Sequence, residues 1–264
     1  LAVAPVQAPL MRDFMGLCVH TVLFKPEQFR EVAGWVRDYH PMEWDLADDT
    51  STMPPWPKSK NGVDWSSLYA AWQKQGFRTT ATLLFDEKKS AADWKNLESD
   101  TFAYGKAIAQ HLGPSGPLKA LDAVEIGNEP GQLNDATYRR VFTHMADGVR
   151  AGDPKLKVLT CATKVAESIR YERNIETLRG LESKIDGLNM HLYAQAEGWP
   201  TWRRSFPEDP KIPFLKDLRR MREWRDKHMP GKPLWVTEFG WDASSKAAPK
   251  EGEWSKWVGN SELE

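Results

Sequence analysis

Along the chain, short runs of apolar and β-branched residues alternate with longer stretches whose apolar positions recur every three or four residues. That switching between periods of two and 3.6 predicts strands alternating with helices. Seven runs read as strands: Met15 to His20, Met42 to Leu46, Phe77 to Phe85, Asp122 to Ile126, Leu156 to Cys161, Ile185 to Leu192, and Pro233 to Glu238. Six helical stretches separate them. The clearest spans about Asp135 to Ala151, with Tyr138, Val141, Phe142, Met145 and Val149 on one face. Asn134 or Asp135 caps its start, and Gly152 with Pro154 ends it. Phe29, Val32, Ala33 and Val36 predict a first helix opened by Pro26, and Leu68, Ala71 and Trp72 repeat the spacing.

Strict alternation of this kind fits a doubly wound sheet or a closed parallel barrel. The first would carry a phosphate- or dinucleotide-binding glycine loop after a strand, and neither GxGxxG nor GxxxxGK[ST] occurs. The expected fold is therefore a (β/α)8 TIM-type barrel, in one domain covering residues 1–264. The stretch after Glu238 is too short for an eighth strand with its helices. The barrel is thus expected to lack its last strand in this sequence, with the natural polypeptide continuing or a further segment completing it.

With 264 residues and 41% hydrophobic side chains, the chain can bury one large core. Its 36 basic and 37 acidic residues leave a net charge of -1, which gives no basic footprint for a nucleic-acid partner. No apolar run reaches the roughly 20 residues that cross a bilayer, so no membrane span is expected. A start at Leu1 without Met fits a trimmed chain and loss of a leader equally well, the second with a secreted or periplasmic location. Cys18 and Cys161 both sit in apolar runs and read as small buried hydrophobes. The 13 tryptophans stand out, because flat apolar faces with one polar edge suit stacking on sugar rings.

In a barrel of this type, chemistry gathers at the C-terminal ends of strands. Two glutamates end buried β runs: Glu129 in Glu125-Ile126-Gly127-Asn128-Glu129-Pro130, and Glu238 in Leu234-Trp235-Val236-Thr237-Glu238-Phe239-Gly240-Trp241. Burying a carboxylate without a purpose is costly, so two of them ask for a shared explanation. Glycosidic bond cleavage supplies one, with a proton donor and a nucleophile about 5 to 5.5 Å apart.

Asn128-Glu129-Pro130 and Thr237-Glu238-Phe239-Gly240-Trp241 resemble the paired signatures of glycoside hydrolase clan A, with family 39 and family 5 nearest in flavour. The resemblance covers most of the chain. It implies a retaining hydrolase of β-linked oligo- or polysaccharides, with Glu129 as acid/base ending strand four and Glu238 as nucleophile ending strand seven. It further implies that Asn128 bonds a sugar 2-hydroxyl, and that His191 and Tyr193 form a His-x-Tyr pair beside the nucleophile, Tyr193 donating to Glu238. Neither a metal nor an organic cofactor is implied. The chain departs from the clan in having no Arg within His40 to Asp45 to pair with the nucleophile, and no sugar-stacking Trp on an eighth strand.

His20, ending strand one, is a further candidate for a sugar hydroxyl, although a lone His in a strand also reads as structural. Trp199, Trp202 and Trp241, with Trp56 and Trp94, occupy strand-end loops and are candidates for lining sugar subsites. The plainer reading of each is packing of a long loop. A second functional class stays open beside the hydrolase: a non-catalytic carbohydrate-binding barrel that kept the fold and the cleft.

Overall fold

The computed structural model describes residues 9–197 and 204–240. Seven parallel strands form one curled sheet: β1 (Gly16–Val19), β2 (Trp35–Pro41), β3 (Arg78–Leu84), β4 (Ala123–Ile126), β5 (Lys157–Lys164), β6 (Gly187–Leu192) and β7 (Leu234–Phe239). Each pairs with its sequence neighbours in order, from β1 through β7. A two-residue ladder, Arg173–Asn174, adds to the upper end of β5. Four long helices cover the outside: α1 (Trp65–Lys74), α2 (Leu97–Leu112), α3 (Asp135–Gly152) and α4 (Phe214–His228). This is the layered order of a (β/α)8-type barrel.

The strands that the periodicity predicts are present, with one correction. Met42–Leu46 is a short helix, and the second strand is Trp35–Pro41 immediately before it. Ladder pairing overrides local pattern here: Trp35 to Pro41 register residue by residue with Arg78 to Leu84. The expected first helix through Phe29 and Val36 does not form. Pro26–Gln28 is a 3-10 turn, and Val36 lies inside β2. Short turns thus stand where a covering helix would, leaving Leu23 and Val32 exposed.

Helix α3 forms as its pattern predicts, with the Asn134 side chain accepting from the Thr137 amide as N-cap. Its apolar face packs on α2 and β4, burying Tyr138, Val141, Phe142 and Met145 completely. Close approach of the two helices needs Gly148, where a Cβ would fall 2.0 Å from the Phe102 carbonyl oxygen. Of the cysteines, Cys161 is buried, whereas Cys18 is exposed and not the buried hydrophobe its run predicts.

The sheet curls until β7 faces β1. The Cys18 thiol lies 3.0 Å from the Thr237 carbonyl oxygen, and the Trp35 and Trp235 rings meet edge to face at 5.0 Å. No ladder joins these two strands. A groove of about 800 Å³ separates their backbones, lined by Gly16, Leu17, Leu234, Val236 and Phe239 among others.

Candidate active site

Strand β2 sends alternate side chains to opposite faces, as any strand must. Arg37 and Tyr39 enter the barrel, while Asp38 and His40 turn outward to α1. Strand β4 is buried along its whole length and ends at Gly127, whose φ of +84° reverses the chain. A Cβ at Gly127 would lie 2.9 Å from Phe85, so glycine is required there on both counts. That turn lifts Asn128 and Glu129 over the strand ends. Strand β6 contributes Asn189 and His191, Tyr193 follows it, and β7 contributes Thr237 and Glu238.

These residues converge. Oxygens of Glu129 and Glu238 and the Nδ1 of His191 all lie within 4.8 Å of one another. Glu238 accepts from Arg37 Nη1 at 2.7 Å and Tyr39 OH at 2.7 Å on one oxygen, and from Tyr193 OH at 2.9 Å on the other. Burial pushes the Glu238 carboxyl up, but His191, Arg37 and the two phenols outweigh it and hold the group below the ordinary carboxylate range. Among the described residues Glu129 has one such neighbour: His191 Nδ1 stands 2.9 Å from its Oε1. Its side chain is 22% exposed against 11% for Glu238, so Glu129 faces the cleft more openly.

His191 itself is buried, which lowers its proton affinity, yet the nearby Glu125 carboxylate, the Glu129 oxygen at 2.9 Å and the charge of Glu238 raise it to about 9. That direction favours the charged ring, with Nδ1–H facing Glu129 Oε1. Asn128 is oriented from below, its Oδ1 accepting from Arg37 Nη2 at 2.8 Å, and its side chain also bonds Asp86 at the end of β3. The protein around Asp86, and next the charge of Glu129, push that carboxyl up to about 6.

Five sequence candidates, Asn128, Glu129, His191, Tyr193 and Glu238, thus meet in one cleft. His20 stands at its edge, exposed, with its ring stacked on Tyr39 at 5.7 Å. Trp199, Trp202 and Trp241 lie outside the described residues. Trp94 does not line the cleft: it is buried and packs edge to face on Phe85, while Trp56 stacks on His111. Arg204 covers the Tyr193 ring with its guanidinium 4.8 Å above the centroid.

The arginine that the sequence lacked between His40 and Asp45 is supplied by Arg37, just before that segment, because β2 lies earlier than its pattern indicates. Tyr39, Glu125 and Asn189 are further site residues that the sequence reading missed. The available signal was charge within a strand for Glu125 alone, which sits in a run that otherwise reads as buried β structure, whereas nothing in the pattern around Arg37 marked a strand. Glu129, His191 and Glu238 are also, among the described residues, the one group with the donor types and spacing to hold a metal ion.

No sequence-family profile matches the chain, and no curated protein does either. Solved structures do match. A glucosidase from Croceicoccus marinus superposes with a TM-score of 0.65 at 16% identity, covering 92% of this chain and 54% of that one. A family 39 glycoside hydrolase from the gut symbiont Bacteroides cellulosilyticus WH2 gives 0.61 at 12% identity, covering 88% and 50%. The Pseudomonas stutzeri endoglucanase Cel5A gives 0.58 at 14% identity, covering 83% and 68%. The chain spans about half the length of the first two. Its seven-stranded parallel barrel has the fold of the clan A glycoside hydrolases.

Proposed function

We propose that this chain is the catalytic barrel of a retaining glycoside hydrolase acting on β-linked oligo- or polysaccharides. The observation that carries this reading is the unequal pair of carboxyls. Glu238 is fixed by three donors beside a cation and is kept ionised, as a nucleophile needs. Glu129, within 4.8 Å across the cleft and more open to it, stands where a leaving oxygen can reach it. Glu238 attacks the anomeric carbon while Glu129 protonates the departing oxygen, giving a glycosyl ester on Glu238. Glu129, now ionised, takes a proton from water as that water attacks the same carbon and frees Glu238. Asn128 holds the neighbouring hydroxyl, and the fold shared with a glucosidase and an endoglucanase supports a carbohydrate substrate.

Proton NMR of the first products from a panel of β-linked oligosaccharides tests the proposal. The β anomer should appear first and mutarotate later. The α anomer appearing first would show inversion and remove the double displacement. Binding of the sugars by wild type and Glu238→Gln alike, with no hydrolysis by either, would identify a carbohydrate-binding barrel instead.

A further inference from the structure

Beneath the cleft floor lies a carboxylate that no substrate can reach. Glu125 is completely buried on β4, and its two oxygens face four donors. Arg37 Nε donates to Oε2 at 2.7 Å and Arg37 Nη2 to Oε1 at 3.0 Å. Thr82 Oγ1 adds a bond to Oε2 at 2.8 Å, and Asn189 Nδ2 bonds Oε1. Asn189 is set in turn by the Thr237 hydroxyl, 2.6 Å from its Oδ1. Burial raises the Glu125 carboxyl, but Arg37 and His191 more than reverse this, so it is ionised.

A guanidinium is planar and rigid, so fixing one edge fixes the direction of every other N–H. Glu125 takes the Nε and Nη2 edge of Arg37 in a fork. The remaining Nη2 hydrogen then points at Asn128 Oδ1, and Nη1 points at Glu238. Orientation of Asn128, and of the Arg37 bond to Glu238, thus traces to one buried group on β4. Charge neutralisation alone would not demand the fork, nor the threonine and asparagine that hold the carboxylate in its own plane.

We propose that Glu125 is the positioning residue that aims Arg37 at Glu238 and Asn128. The proposal rests on the hydrolase reading for its kinetic consequences, though not for its geometry. Glu125→Asp tests it, because aspartate keeps the charge and loses the reach of one methylene. A misplacement on the order of 1 Å lowers kcat about 100-fold with KM changed far less. The acidic limb of the pH profile moves up, as Arg37 Nη1 withdraws from Glu238.

A carbon-13 carboxyl titration of Glu238 reads the same shift without any turnover. It therefore separates failure of this proposal from failure of the hydrolase assignment, which would show as a wild type that hydrolyses nothing. Should Glu125→Asp not fold, Thr82→Val leaves Glu125 and Arg37 in place and removes one strut, with about a tenfold loss of kcat and the same upward shift. Wild-type kcat and an unmoved Glu238 titration in a folded Glu125→Asp or Thr82→Val protein overturn the proposal. Those results would reduce Glu125 to a counter-ion for Arg37.

Discussion

The two faces of β2 carry two buried polar networks of similar size and opposite purpose. Inward, Arg37 and Tyr39 hold Glu238 beside an open cleft. Outward, His40 bridges Tyr69 and Asp45 at 2.8 Å each, and Asp45 also accepts from Trp65 Nε1 and Tyr104 OH. Tyr69 passes the chain on to Asp38. The outward set is sealed: His40, Asp45, Trp65, Tyr69 and Tyr104 have no exposed surface, and the His40 and Trp65 rings stack at 3.9 Å. It ties β2 to α1 and α2 and touches no ligand. The inward set leaves oxygens of Glu129 and Glu238 facing solvent space. Buried polar groups and rings alone therefore do not mark a functional site; an open side does.

Separating stability from turnover tests that contrast most severely. Asp45→Ala strips three buried donors of their acceptor and should cost about 3–5 kcal/mol. Thermal unfolding should fall by roughly 10 °C for a chain of this size, with kcat per folded molecule unchanged. A proportional loss of kcat would mean that the two faces are coupled.

Tyr39→Phe and Tyr193→Phe act on the inward face and should do the reverse. Each removes a donor to an ionised carboxylate and should cut kcat about 10- to 100-fold. The acidic limb of the rate profile should rise, since Glu238 loses a bond that favours its charged form. Melting temperature should hardly move. An unshifted limb would remove the phenols from the control of Glu238.

The third outcome concerns pH. His191 is raised to about 9 from an ordinary value of 6.5. Its contribution to stability is complete below about pH 6.5 and is lost as pH rises through about 9. Denaturant unfolding across that window should show the decline, and His191→Gln should abolish it. Smallest of all, Arg140→Ala breaks an exposed pair with Glu98 on the helical surface. Neither melting nor activity should change measurably, which sets the baseline for the other variants.

The same contrast explains what was legible in the sequence. Strands β3 to β7 were visible because each keeps apolar residues at alternate positions, as Val124 and Ile126 do in β4 and Leu188, Met190 and Leu192 in β6. Strand β2 was hidden because both of its faces are polar, and Arg37-Asp38-Tyr39-His40 shows no hydrophobic period at all. The apolar Met42 to Leu46 run took its place. Glu129 and Glu238 could be found from their motifs, and His191 and Tyr193 from theirs. Arg37, Tyr39, Glu125 and Asn189 depend on which face of a strand points inward, and that is decided by ladder register.

Register also carries a safeguard for the folding chain. If β2 slid by one residue against β1 and β3, every side chain would change faces. Asp38 would then enter the barrel beside Glu125 and Glu238, setting three carboxylates together, and Arg37 would be driven toward the aromatic rings of α1. The misaligned barrel is excluded by charge before packing is tested. A strand whose sequence shows no hydrophobic period is, for that reason, the one whose alignment admits least error.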